Sequence, residues 1–232
     1  MNMLFKKIIL SVVIISSLLS CTTSSDNFKE PIISEVSATF KSYTVFDTNS
    51  FWVYRNQLNS KIDTLTVSDL YMERRFHNPL NSNPGFYYNA YELLYLSDEI
   101  GIVRGEVTGG YADDATDSLP ENYRIYFQNG RYFSILTPKY TIGEEQLLGI
   151  NEGNYTNVAF YNNFELDGRA YSGVYQVLIK DYFNENDTSY LHFYLAKNVG
   201  IIRYQRYTAV DSVDWILNSY DVNVLTESRW EK

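Results

Sequence analysis

From Thr39 onward the chain is built of short runs rich in Tyr, Phe, Val, Ile and Thr, each ended by Asn, Asp or Gly. β-Branched and aromatic side chains suit a pleated surface, and the interrupting residues suit tight turns, so the pattern restricts the chain to strands joined mostly by hairpins. No long helical period competes with it. Strands are expected at Thr39–Phe46, Phe51–Leu58, Ile62–Tyr71, Tyr87–Leu96, Gly101–Val107, Tyr171–Phe183, Ser189–Ala196, Gly200–Tyr207 and Val213–Leu225, with a single helical turn at Thr141–Leu148. His77–Gly85 and Gly109–Asn122 read as loops from their Asn, Pro, Asp and Gly content. The expected fold class is all-β: an antiparallel twisted sheet, half-barrel or sandwich.

Two turns can be placed from residue type. Asn129-Gly130 is the pair that most readily supplies the two positive φ angles of a type I′ turn. With those two residues as the loop, Phe127 faces Tyr132, Ile125 faces Ser134 and Tyr123 faces Leu136. Tyr123, Ile125, Phe127, Tyr132 and Leu136 then share an apolar face. Asp167-Gly168 marks a second hairpin, followed by a long strand in which Tyr171, Tyr175, Val177, Ile179 and Phe183 share a face.

The stretch from Tyr95 to Arg104 recurs 99 residues later from Tyr194 to Arg203, with five of ten positions identical and the turn glycines Gly101 and Gly200 aligned. This spacing is far beyond solenoid or propeller repeats, so it suggests two related halves, 39–108 and 156–232, within one β domain spanning 39–232.

Residues 1–20 have the layout of a secretory signal. Lys6 and Lys7 precede an uncharged run from Ile8 to Leu19, which is too short to span a bilayer, and Ser20 is small. Leu18-Leu19-Ser20-Cys21 resembles the lipobox of bacterial lipoproteins. That resemblance implies cleavage before Cys21, lipid on its thiol, and a flexible tether over 21–38. Cys21 is the single cysteine of the chain, so lipidation would leave no thiol for a disulfide, a metal or a nucleophile. Ser25-Asp26-Asn27-Phe28 resembles the short acidic signals that carry some lipoproteins to the cell surface. The expected location is therefore the outer membrane, lipid-anchored, on its periplasmic or cell-surface side.

Loss of Lys6 and Lys7 with the signal would take the formal net charge from −9 to −11, because two positive charges leave and no acid does. Such a chain repels nucleic acid and anionic headgroups. No catalytic constellation stands out. The two histidines, His77 in a loop and His192 in a strand beside Tyr190 and Tyr194, lack a second histidine at ligand spacing. Asp113, Asp114 and Asp117 do not have calcium-loop spacing, and Glu144 and Glu145 read as an exposed start of the helical turn. No cofactor fingerprint, catalytic residue or metal ligand is assigned, and an enzyme is not expected.

What is left is the aromatic content: 22 tyrosines, 13 phenylalanines and three tryptophans, more than one core needs, with Tyr87, Tyr88, Tyr91 and Tyr95 crowding one segment. Tyrosine-lined sheet faces can stack on sugar rings or hold lipid. The expected role is accordingly non-enzymatic binding or structure in the cell envelope. The partners expected are the membrane through Cys21 and a lipid or glycan ligand.

Phe164 to Val177, the Gly200-Ile201-Ile202-Arg203 turn and Trp215-Ile216-Leu217 resemble a group of outer-membrane lipoproteins with a long curved sheet, similar to the half-barrel carriers LolA and LolB. The resemblance implies an open concave sheet and no functional residue. Asp117-Ser118-Leu119 resembles an O-glycan acceptor motif of exported proteins.

If Cys21 carries the anchor, Cys21→Ser moves the protein from the membrane to the soluble fraction on cell fractionation, and equal membrane recovery of the two forms refutes the anchor.

Overall fold

The computed structural model describes residues 33–77, 86–110, 120–136, 141–147, 153–184 and 187–225. The signal, Cys21, the acidic loop from Asp113 to Asp117 and Ser118 lie outside the described residues.

The structure is a single antiparallel sheet with one short helix. Its strands are β1 (Ile33–Ser34), β2 (Phe51–Asn56), β3 (Ile62–His77), β4 (Phe86–Leu96), β5 (Ile102–Thr108), β6 (Asn122–Phe127) and β7 (Tyr132–Leu136), then β8 (Glu145–Leu147), β9 (Asn154–Leu166), β10 (Arg169–Asn184), β11 (Asp187–Ala196), β12 (Gly200–Tyr207) and β13 (Ser212–Asp221). The order is β7-β6-β5-β4-β3-β2-β13-β12-β11-β10-β9-β8, with β1 added in parallel to the start of β4. Two meanders, β2 to β7 and β8 to β13, are thus joined where β13 pairs with β2. Read around the molecule, neighbours follow chain order, and the sheet is left open between β7 and β8 rather than closed into a barrel.

Bulges interrupt the ladders at Val67/Asp69, Ile102/Arg104, Gln176/Val177, Tyr194/Leu195 and Leu217/Ser219. Each adds local twist, so a sheet this wide curls until its inner face meets itself. The rings of Phe127 on β6 and Tyr204 on β12, from opposite halves, lie 5.8 Å apart. Trp52 Nε1 donates to Val199 O at 2.5 Å and Tyr54 Oη to Ile201 O at 2.7 Å, binding β2 to the start of β12. Close backbone approach is also needed: a Cβ on Gly105 would sit 2.8 Å from the Tyr123 ring and 3.0 Å from that of Tyr95, so only glycine admits both rings.

Residues Ala38–Thr44, expected as part of a strand, form helix α1 instead. Ser37 caps it: the Ser37 Oγ accepts from Phe40 N at 3.1 Å, while the Ser37 amide and hydroxyl both donate to the buried Glu121 carboxylate. β-Branched and aromatic content argues for a strand here, but burial of Phe40 and Tyr43 at helical spacing inside the curled sheet overrides propensity. Within the span 21–38 expected as a tether, Ile33 and Ser34 instead pair with Tyr87 and Tyr88, and Val36 is buried.

The Asn129-Gly130 hairpin exists, but its register differs by one residue from the expected one. Tyr126 pairs with Tyr132, Ile125 with Phe133 and Tyr123 with Ile135. Phe127 N donates to Arg131 O, Gly130 N to Phe127 O, and only Gly130 has positive φ, at 80°. The loop is therefore three residues with an αL glycine, not a two-residue type I′ turn. The single-residue shift puts Tyr132 on the face opposite Ile125 and brings Phe133 and Ile135 inward. Asp167 and Gly168, at φ 51° and 74° between the paired Leu166 and Arg169, do form the expected two-residue turn. The expected helical turn at Thr141–Leu148 is replaced by β8, whose Gln146 pairs with Tyr155.

The two similar ten-residue stretches become hairpins β4–β5 and β11–β12, five strands apart along the sheet and pointing to opposite ends of it. Their turns are clamped differently. In the first, buried Asp63 accepts from Ser97 Oγ and from the amides of Asp98, Glu99 and Ile100. In the second, Asn198 N donates to Ser42 O of α1 and Trp52 holds Val199.

Gly130→Val should lower stability by about 1 kcal/mol or more through backbone strain, since a Cβ there meets nothing within 4 Å yet φ is 80°. Urea midpoints of the two proteins measure it, and an unchanged midpoint contradicts the turn.

Candidate ligand shelf on the outer face

Two small spaces lie within the described part of the interior. One space, bordered by Phe40, Tyr43, Leu136, Tyr155 and Tyr175, and another, bordered by Phe46, Trp52, Tyr54, Tyr95 and Tyr123, measure about 10 Å³ each. Either is room for one water and for no acyl chain. The tyrosines that crowd one segment of the sequence are divided by the pleat: Tyr91 and Tyr95 are buried in the core, while Tyr87 and Tyr88 are half-buried.

On the outer face the two halves of the sheet differ. The first half is covered by ion pairs: Glu106 accepts from Arg75 at 2.9 Å and Arg124 at 3.4 Å, Arg104 reaches Glu92 at 3.2 Å, and the Arg104 guanidinium lies 3.8 Å over the Tyr126 ring. In the second half Arg203 lies 5.7 Å over the Tyr194 ring and pairs with Asp214, but two further rings stand apart from it. Tyr190 and Tyr207 stand directly opposite each other on β11 and β12, 42% and 41% exposed, and Tyr182 is 52% exposed.

The adjacent rungs are polar. His192 pairs with Gln205 and Gln205 with Asp214; one rung further, Tyr194 pairs with Arg203. Gln205 Nε2 donates to Tyr207 Oη at 2.6 Å and to Asp214 Oδ2 at 3.0 Å. Asp214 is held by Arg203 through both oxygens, Nε to Oδ1 at 2.9 Å and Nη2 to Oδ2 at 2.6 Å, a bidentate pair that fixes the floor of the shelf. At the far margin Phe164 stacks on Tyr194 at 5.5 Å and lies 5.0 Å from Tyr161, whose hydroxyl donates to Gln176 Oε1 at 2.9 Å.

His192 stands in this setting with its Nδ1 buried and without a hydrogen-bond partner, its ring 6.1 Å from that of Tyr207. Burial first, and then the Arg203 charge, push its pKa below the ordinary 6.5, so the imidazole is neutral at pH 7. Burial and the Asp214 charge raise the Tyr207 hydroxyl, which stays a protonated donor. The shelf thus offers two accessible ring faces, a neutral imidazole, an amide and a fixed carboxylate within neighbouring rungs. Those groups can stack on a flat apolar ligand face and exchange hydrogen bonds at its rim.

Other residues considered from sequence do not assemble. His77 is the last residue of β3 rather than a loop residue; it is exposed and its ring lies 5.1 Å from that of Phe86. Glu144 is exposed and Glu145 pairs with Lys180 at 2.8 Å. Among the described residues no three His, Cys, Asp or Glu side chains could hold a metal, and no helix is long and apolar enough to cross a membrane. His192 faces outward with Tyr190 and Tyr194 as the alternation predicts. Gln205, Tyr207, Arg203 and Asp214 escaped sequence reasoning. Alternation gives each strand's faces, but only the β11–β12–β13 register sets these four beside His192.

No protein-family model matches the chain, and no curated protein matches it. Among solved structures, one Parabacteroides distasonis protein described as a lipoprotein aligns over 80% of this chain and 100% of its own, at 10% identity and a TM-score of 0.34. Similarity at that level fixes neither fold nor function.

Because the folded state holds His192 below 6.5, the unfolded chain takes up the proton first as pH falls through 6.5, and the native state loses stability until His192 itself protonates. The His192 ring protons should titrate below 6.5 by NMR, and Arg203→Met should move that titration upward. A normal value, or no response to Arg203, contradicts the environment described.

Proposed function

We propose that the chain is a cell-envelope lipoprotein, held at the outer membrane by lipid on Cys21, which binds carbohydrate without catalysis on the tyrosine shelf of β10 to β12. The observation that carries the reading is the side-by-side pair Tyr190 and Tyr207, both well exposed, next to the unpartnered Nδ1 of His192. A sugar ring has one face of C–H groups and a rim of hydroxyls. It matches a surface with ring faces in one rung and His192, Gln205 and Asp214 in the next. The alternative reading is a lipid-handling half-barrel, which the open sheet allows. The residues Ser25-Asp26-Asn27-Phe28 behind Cys21 favour the cell-surface side of the membrane.

Each exposed ring contributes about 1 kcal/mol to such stacking, so removing both weakens binding by roughly a factor of ten to a hundred. The test is a glycan array probed with the detergent-solubilised lipidated protein and its Tyr190→Ala/Tyr207→Ala variant. Retention on a class of glycans, reduced in the variant at an unchanged urea midpoint, is the expected result. Equal retention of the two proteins, or none by either, overturns the shelf assignment.

A further inference from the structure

The end of the β3–β4 hairpin differs from the rest of the sheet. β2 pairs β3 no further than Thr66, and β5 pairs β4 no further than Ala90, yet β3 and β4 continue as a narrow ribbon to His77 and Phe86, flanked only by the two residues of β1. So narrow a ribbon is marginal in water on its own. Here Phe76, 53% exposed, meets the half-buried Tyr87 at 5.0 Å on one face, in the same rung as Ile33, while Phe86 on the other face is buried. Arg75, in the next rung, pairs with Glu73 and with Glu106 at 2.9 Å, which leaves Phe76 as the exposed apolar group at this end of the ribbon.

The chain enters the fold at this same ribbon. β1 pairs Ile33 with Tyr87 and Ser34 with Tyr88, and Ile33 is itself 41% exposed. Only the eleven residues Thr22 to Ile32 separate Cys21 from that point. An unstructured chain of that length would span about 20 Å on average, whereas a folded unit of this size is about 40 Å across. The face that carries the ribbon is therefore the one held towards the bilayer.

We infer that the aromatic ribbon of β3 and β4 is a membrane seat: its rings lie in the headgroup region of the bilayer that holds the lipid of Cys21, and they fix the orientation of the protein on that surface. The inference rests on the lipoprotein reading above. Tyrosine suits this zone because the ring is apolar and the hydroxyl stays hydrated.

Strand senses place the β2–β3 turn at the other end of the sheet from the ribbon, and Leu58 in that turn is 59% exposed. The test compares two single-tryptophan additions, Phe76→Trp and Leu58→Trp, each in the native lipidated protein on phosphatidylcholine vesicles with plain or brominated acyl chains. Tryptophan at 76 should lose about half its emission to brominated lipid, as burial of roughly 5–10 Å into the headgroup and acyl boundary implies. Tryptophan at 58 should lose none beyond the background of the unsubstituted protein. Mass analysis of the Cys21 peptide is run on the same samples. Lipid on Cys21 with no quenching at 76, or with equal quenching at 58, overturns the seat and leaves the anchor standing. A bare Cys21 overturns the anchor and the seat with it.

Discussion

The ladder between β2 and β13 is the contact on which the rest of the structure depends. It joins Phe51–Asn56 to Trp215–Asp221, residues near opposite ends of the described chain, and turns two meanders into one sheet. Every other ladder of the sheet's main path links strands consecutive in sequence. β2 also reaches past its ladder. Trp52 and Tyr54, 3% and 2% exposed, satisfy the carbonyls of Val199 and Ile201 at the bulged entry to β12. A buried carbonyl left without a donor costs about 1–3 kcal/mol, so these two side chains hold the seam while filling the core. Hairpins can form locally and early, whereas this closure joins the chain's distant parts and commits the inner face to burial.

Once the sheet has curled, tyrosine has to serve in several different environments. Inside, several hydroxyls find partners across the core, Tyr54 on Ile201, Tyr95 with Tyr123 at 3.0 Å and Tyr155 on Asn157 at 2.5 Å, whereas that of Tyr91 is buried without one. Burial pushes Tyr123 and Tyr204 up to about 12 and Tyr54 and Tyr95 well above 10, so these groups remain neutral donors throughout the physiological range. On the outer face of the first half the Tyr126 ring is covered by the Arg104 guanidinium, which uses it as a cation–π platform. On the second half Tyr190 and Tyr207 have neither a core around them nor an arginine over them. Aromatic abundance alone therefore says little about ligand binding, and the residues stacked on each ring decide what that ring does.

That distinction explains how far the sequence could be read. Turn residues and alternation give the strands from Phe51 to Leu58, Ile62 to Tyr71 and Tyr171 onward, the Asp167-Gly168 turn, and the face of His192, because all of these are local properties. Register is not local. Asn129-Gly130 fits either a two-residue or a three-residue loop, and the choice between them turns Tyr132 outward and Phe133 inward. Helix α1 is misread for a related reason: Thr39, Phe40, Tyr43 and Thr44 favour strands, and only the space inside the curled sheet makes a helical turn the better way to bury Phe40 and Tyr43. The shelf was half legible. His192 and its tyrosine neighbours lie on one strand, but Tyr207 and Asp214 join them only through pairing with β12 and β13.

The topology also constrains where binding and anchoring can lie. In an antiparallel meander the ends of the strands alternate, so the start of β4 and the end of β3 share one end of the sheet, while the start of β11 and the end of β12 share the other. The chain enters beside the first pair at Ile33, and Tyr190 and Tyr207 occupy the second. On the reading proposed here, a seated ribbon directs the shelf away from the bilayer, into the space where a polysaccharide can approach it. Rings placed at the shared anchor end would instead be spent on the lipid surface. The separation needs no interdomain hinge or long stalk: it follows from strand direction alone, once the β1–β4 pairing sets where the chain enters.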